Sequence, residues 1–411
     1  MLRIHLAVVL VAIASFLSFG FVQKTNPAEV LKAINEYRAS TIAKARESGT
    51  QLDLAAMNAE VLSRAKTAVE GVKIESIDAA EGYAWAQLFQ LAEMPKMACD
   101  AAAKYLTTNP SSTQRYSAQF LMINSCNSLG EAHMVAELLT QMTPPNASAA
   151  ASLASSTAYM FADTIHEKLG IAAALKALDD VEKLIPFATM TSENDQRLAD
   201  SARVGLTNSR AELLLTAGKK QEALASIDKT LALMKPDNAS VRTLTGLKTR
   251  IALVGSVAPA LTFEKGYGEF AGLESLKGKV VLIDFFAHWC GPCIRSFPDM
   301  KKLYEDLKPK GLEIVGFTTY YGYYKGENVQ KRDMPKDVEY AKMAEFIKEH
   351  GLSWPVVYGD RTNFDAHGVT GIPHVTVVDR KGNVHKIKVG YSPDSFGAFR
   401  SEIEKLLAEG P

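Results

Sequence analysis

The sequence has no surplus charge of either sign. Lys plus Arg number 46 and Asp plus Glu number 46, so no basic excess is available to draw in nucleic acid or an anionic membrane. Cysteine is scarce: four residues in 411, two of which, Cys290 and Cys293, are separated by two positions. No second such pair and no two nearby histidines accompany them, which argues against a structural zinc site. Strand-like alternation is missing between Pro27 and Ser256, so that part of the chain reads as helical. With 47% apolar residues over this length, two domains with their own cores are expected.

What is present begins with a leader. A single Arg3 precedes an apolar run from Leu6 to about Val22, and Ser18-Phe19-Gly20 supplies the small-x-small pattern that a signal peptidase reads. Residues 1–22 are therefore expected to be a signal peptide or, given the length of the run, an uncleaved N-terminal anchor. Both put the rest of the chain outside the cytoplasm, in a periplasm or its equivalent, where disulfides persist.

Residues 27–255 are rich in Ala, Leu, Glu and Lys, with breaks at Asn109-Pro110, Thr143-Pro144-Pro145 and Lys235-Pro236-Asp237. Trp85, Leu88, Phe89 and Ala92 share one helix face; Gln119, Met122, Ile123 and Cys126 repeat the layout, and Ala223, Ile227 and Leu231 do so again. Pro110 and Pro144 stand 34 residues apart, the period of a tetratricopeptide helical hairpin. The region resembles an irregular tetratricopeptide-like array. It is either a concave surface for a protein partner or a spacer that supports the second domain. Cys99 and Cys126 fall on consecutive helices about six residues out of level, roughly 9 Å. Two buried thiols are expected there rather than a bridge.

After Gly255-Ser256-Val257-Ala258-Pro259 the texture changes. β-Branched runs at Val280–Ile283, Leu312–Val315, Val356–Val357, Val375–Val378 and His385–Val389 alternate with helical patterns at Cys290–Leu307, Val338–His350 and Pro393–Leu407. Residues 257–411 should form an α/β domain on a mainly parallel sheet, with a hairpin turn at Asp379–Asn383 giving an antiparallel edge.

The pair Cys290 and Cys293 follows an apolar strand directly, which places Cys290 at a helix N-terminus. Unpaired N–H groups and the positive end of the helix dipole favour a thiolate there. Cys290 is the candidate nucleophile, and Cys293, one turn further in, is placed to resolve a mixed disulfide. Gly291 and Pro292 suit a first helical turn that a substrate chain must approach. A purely structural disulfide across so small a loop would constrain the unfolded chain little.

The stretch VVLIDFFAHWCGPC, followed by Phe297-Pro298, resembles the thioredoxin superfamily. Ala258-Pro259 and the long segment Thr318–Asp337 are similar to its exported TlpA/ResA-like thiol–disulfide reductases. The resemblance implies a thioredoxin fold, a redox-active Cys290–Cys293 disulfide with no other cofactor, and protein disulfides as clients. Trp289, Gly291 and Pro292 match its active-site surface. Asp284 matches a buried carboxylate that helps deprotonate the second cysteine, in a strand flanked by Val281, Ile283 and Phe285 and so expected to be covered on both faces. Ile372-Pro373 matches a cis-proline loop whose backbone pairs with an extended client. Ser296 stands where many of these reductases carry a glutamate.

The Gly-Pro dipeptide resembles the reducing end of the family, about −270 mV for thioredoxin against about −120 mV for DsbA. A reductant outside the cytoplasm implies a membrane thiol-electron donor. The rivals are a disulfide oxidase or isomerase, and an adaptor that binds clients through its helices. His288 and His374 flank the dithiol, either to bias its titration or as solvated loop residues. Tyr321 and Tyr323 belong to a tyrosine-rich loop expected to overlook the dithiol, either gripping a client or packing to hold the loop down.

Overall fold

The computed structural model describes residues 26–236 and 238–409; the leader expected at 1–22 lies outside them. Among the described residues no helix is long and apolar enough to cross a membrane. The chain divides into two compact units, the first ending at Glu131 and the second beginning at Ala132.

The first unit holds α1 (Pro27–Ser48), α2 (Leu54–Val69), α3 (Gly82–Leu91), α4 (Pro95–Leu106) and α5 (Ser112–Ser128). Asn26 caps α1 by accepting from Ala28 N and Glu29 N, and Asp53 caps α2, satisfying donors that the first turn leaves free. The apolar faces read from sequence are the buried ones: Trp85, Leu88 and Phe89 on α3, with Gln119, Met122, Ile123 and Cys126 on α5. Cys99 and Cys126 are the two buried, unbonded cysteines expected, but the spacing expected between them does not hold. Cys99 Sγ and Cys126 Sγ lie 2.9 Å apart. Each helical side chain leans toward its own N-terminus. Cys99 thus leans away from the turn and Cys126 toward it, closing a step that counting residues along straight axes leaves open. Single turns at Thr107, Thr108 and Asn109 also carry α4 onward before the chain reverses.

The second unit begins with α6 (Ala132–Gln141), α7 (Ala147–Ser156), α8 (Ala162–Leu169), α9 (Ile171–Lys183), α10 (Glu193–Thr216), α11 (Lys220–Leu231) and α12 (Ala239–Leu253). A six-stranded sheet follows, with strands β1 (Lys265–Tyr267), β2 (Val280–Phe285), β3 (Leu312–Thr318), β4 (Val356–Tyr358), β5 (His374–Val378) and β6 (Val384–Val389), in the order β1-β4-β3-β2-β5-β6. Helices α13 (Gly291–Leu307), α14 (Lys336–His350), α15 (Arg361–Ala366) and α16 (Pro393–Ala408) complete the α/β fold.

The sheet is mixed rather than mainly parallel: β2, β3 and β4 run parallel, while β5 is antiparallel to β2, and β1 and β6 are antiparallel at the two edges. The link from β4 to β5 carries only the six-residue α15. It stays at one end of the sheet instead of crossing back over it, as a parallel pairing requires.

Helix α12 packs tightly on the segment before β5. Arg250 donates to Gly368 O at 2.8 Å and lies 3.3 Å from Thr370 Oγ1. A Cβ at Gly246 would collide with Thr370 Cγ2 and come within 3.2 Å of Gly368 O. Alanine normally improves a helix interior over glycine by about 1 kcal/mol. Here overpacking costs about 1–3 kcal/mol and wins. Gly246→Ala should therefore lower the melting temperature, and Thr370→Ser, which deletes the obstructing methyl but keeps the hydroxyl, should restore it. Calorimetry of the two single variants and the double variant checks this; additive effects would show that the contact is not the cause.

Candidate active site

Strand β2 delivers the chain to the site. All six of its residues are buried, because β3 and β5 flank it and side chains cover both of its faces. Alternation puts Val281, Ile283 and Phe285 on one face, and Asp284 on the other with Val280 and Leu282. That second face belongs to the cluster that includes Cys290, Cys293, Phe297 and Met300.

Cys290 is the N-cap of α13: its sulfur accepts from Cys293 N at 3.2 Å, and Pro292 occupies the first turn. The two cysteines are joined as a disulfide, with Cα atoms 5.3 Å apart. Cys290 keeps 3% of its surface and Cys293 none, so an approaching sulfur meets Cys290 first. Around it the surface is open, with Trp289 46% exposed and Gly291 and Pro292 also exposed. Ser296 is buried, its hydroxyl donating to Cys293 O at 2.7 Å; its side chain is turned to the backbone of its own helix.

Asp284 is buried, and burial alone pushes its carboxyl up to about 7. With no neighbouring cation to hold it ionised, it can carry or accept a proton near neutrality. The peptide Ile372-Pro373 is cis, Pro373 is buried and Ile372 half-buried. Pro373 O accepts from Gly390 N. Among the described residues the backbone N–H and C=O of Ile372 have no hydrogen-bond partner.

The parallel pairing of β2 with β3 brings the loop after Thr318 to the same sheet edge as Cys290. Tyr321 is half-buried, its ring edge-on to Trp289 with centroids 5.4 Å apart. Tyr323 is buried against His288, 5.3 Å between ring centroids, so of the two tyrosines considered for client contact only Tyr321 reaches the surface. Gly322 holds φ +74, and any Cβ there would strike Arg332 O, which fixes the residue as glycine.

Two features escape sequence reasoning. Buried Glu339 on α14 accepts from Tyr321 N at 2.9 Å and Gly322 N at 2.9 Å, and burial raises its carboxyl. In sequence it reads as one more acid in an exposed first helical turn. The histidines are neither solvated nor charged. Burial pushes His288 down to about 4 and His374 down to about 3. His288 Nδ1 accepts from Lys325 N, while His374 lies edge-on to Phe285, on the face of the sheet away from the dithiol. Among the described residues no three His, Cys, Asp or Glu side chains gather to hold a metal.

Comparison with known proteins covers the sheet-bearing part of the second unit. Residues 253–407 match the Redoxin family. The thiol-disulfide oxidoreductase ResA of Bacillus subtilis (strain 168) is 33% identical over 144 residues, 34% of this chain and 70% of that protein. ResA of Geobacillus thermodenitrificans (strain NG80-2) is 32% identical over 148 residues, 35% of this chain and 72% of that protein. Among solved structures, a thiol:disulfide interchange protein of the thioredoxin family from Chlorobium tepidum TLS is similar at 26% identity, covering 37% of this chain and 95% of that one with a TM-score of 0.28. The helices before residue 253 lie outside the family match, and on the strength of the residues within it this chain belongs to the ResA family of thiol–disulfide oxidoreductases.

Proposed function

We propose that the chain reduces protein disulfides outside the cytoplasm through Cys290 and Cys293, with residues 257–411 as the redox domain and residues 27–255 as a helical domain. The observation that carries the reading is the grading across the pair: Cys290 caps a helix and is the only one of the two cysteines that keeps any surface, while Cys293 is closed off over the sheet face that holds Asp284.

In the reduced protein the α13 N-terminus favours a thiolate at Cys290. That thiolate attacks one sulfur of a client disulfide, forming a Cys290–client bond and expelling the other client sulfur as a thiol. Cys293 then gives its proton toward the Asp284 carboxylate and attacks Cys290 Sγ, releasing the second client thiol. Two electrons pass from the dithiol to the client and leave the Cys290–Cys293 disulfide. Trp289, Gly291, Pro292 and the free backbone of Ile372 form the docking surface, with Tyr321 at its border. Recharging requires a membrane thiol donor, and no other cofactor enters. The apolar run from Leu6 to about Val22 supports the location.

The direction is tested by the reduction potential of the pair: a value near about −270 mV fits a reductant, and one near about −120 mV would make the protein an oxidase. Cys290→Ser should abolish insulin-disulfide reduction, and Cys293→Ser should accumulate mixed disulfides visible on non-reducing gels. If both variants replaced wild type fully in a deletion strain, the adaptor reading would stand instead.

Asp284 carries a pH signature of fixed sign. Burial lifts its carboxyl from the ordinary 3.8 to about 7, so between those values the folded chain keeps a proton that the unfolded chain releases. The associated stability is complete below about pH 4 and is lost as pH rises through about 7. Asp284→Asn removes this titration. The variant should be more stable than wild type at pH 8 by about 2–4 kcal/mol, with the gap closing toward pH 4. It should also slow client release from the mixed disulfide more than the first attack. Urea melts across this range and single-turnover kinetics check both; a pH-independent stability difference with an unchanged second step would exclude the role.

The tyrosine loop separates into a grip and an anchor. Tyr321→Ser should cut kcat/KM for protein disulfides about 3–10-fold, with reduction of small disulfides and melting temperature preserved. Tyr323→Ser should cost about 2–4 kcal/mol of stability. A Tyr321 variant that loses stability without selective loss on protein substrates would assign both rings to anchoring.

A further inference from the structure

Cys99 and Cys126 take no part in the chemistry above, yet their sulfurs meet. Unbonded in the structure, they lie 2.9 Å apart across the hairpin of α4 and α5, and among the described residues neither thiol has another side-chain hydrogen-bond partner. Cys99 keeps 7% of its surface and Cys126 none. Both residues lie within the first unit, so the contact does not depend on the dithiol domain.

We propose that Cys99 and Cys126 form a second, structural disulfide that ties α4 to α5. The inference rests on the extracytoplasmic reading only for the source of the oxidant, an external disulfide met while the helices are still exposed. At that stage neither sulfur is buried and either can open the exchange. With Cys99 first, its thiolate attacks the external disulfide, forming a mixed disulfide and expelling one thiol. Cys126 then loses its proton, attacks Cys99 Sγ and expels the second thiol. The pair gives up two electrons and two protons, and the external disulfide is reduced to two thiols. Once α4 and α5 have packed, neither sulfur is accessible enough to exchange with a protein, so this bond is a staple and the Cys290–Cys293 bond is the exchanging one.

The bond closes a loop of about 28 residues in the unfolded chain, long enough for a substantial restriction of that state. The test refolds the full chain in a buffer of oxidised and reduced glutathione, then denatures it without reductant in the presence of a maleimide-polyethylene glycol. In the Cys290→Ser, Cys293→Ser double variant no thiol should be labelled, and non-reducing peptide mapping should recover the peptides of Cys99 and Cys126 linked to each other. In native wild type, a level of dithiothreitol that opens Cys290–Cys293 completely should leave the second bond closed until a denaturant is added. Removing the bond by Cys99→Ala with Cys126→Ala should lower the helical transition by about 5–15 °C. Two labelled thiols in the refolded double variant would overturn the proposal whatever the fate of the alanine variants. That result would leave insulin reduction by Cys290 and Cys293 untouched, so the two readings fail separately.

Discussion

A carboxyl buried in the centre of the sheet is the constraint on which the redox half of this chain depends. Asp284 sits in a strand with neighbours on both sides and cover on both faces; burial lifts its carboxyl from 3.8 to about 7, so ionising it there costs on the order of 4 kcal/mol more than in water. A valine at this position would remove that cost and fit the strand better. The acid is tolerable because it remains protonated up to neutrality, and a group balanced between its two forms is suited to the proton exchange with a buried thiol proposed above. Packing and the proposed chemistry thus act on the same residue in opposite directions, and burial is the one influence that shifts its carboxyl.

The arrangement is visible in what surrounds the dithiol. His288, His367 and His374 are all buried and pushed to about 4, 4 and 3, so none is a cation at neutral pH. Glu339, equally buried, has its carboxyl raised and spends its oxygens on the backbone of Tyr321 and Gly322. The nearest His288–Glu339 approach, 3.9 Å, therefore joins a neutral imidazole to an acid engaged elsewhere and is no ion pair. With these imidazoles neutral, the proposed mechanism relies on the α13 N-terminus to favour a thiolate at Cys290 and on Asp284 to take the proton of Cys293. This division suits a departure noted in the sequence, where Ser296 stands in place of an acid and bonds only to its own helix.

Much of this was legible before any coordinates. Prolines at 110, 144 and 236 fall between helices, and each long β-branched run became a strand, because breaks and buried central strands leave strong local signals. The CGPC turn stood out through its place at the end of an apolar strand and through its resemblance to a known active site. What the sequence hid is non-local. β1 is only Lys-Gly-Tyr, too short for a pattern, and its pairing with β4 decides its state. The reversed direction of β5 is a property of how its link travels, which no residue records. Glu339 looks like a surface acid until the loop folds onto it, and Tyr323 looks like its neighbour Tyr321 until one ring turns inward. The meeting of Cys99 with Cys126 depends on the lean of side chains, which residue counting ignores.

The packing of α12 shows how the helices of the second unit bear on the dithiol without touching it. Arg250 holds Gly368 O, and Gly246 lets Thr370 lie against the helix; two residues later the chain reaches Ile372, whose free backbone borders the site. On the other side of that segment His367 Nε2 meets Pro259 O at 3.2 Å, and beyond it Gly255 N and Ala258 N bond to Val384 O and Gly382 O at the β5–β6 hairpin. The linker after α12 is therefore fastened to the same elements that present Ile372. A displacement of α12 by an ångström would be carried into the 368–372 segment, because glycine backbones in direct contact leave no side chain between them to absorb it. Helix α12, nearly all of which lies outside the family match, is in this way positioned to set the geometry of the 368–372 segment.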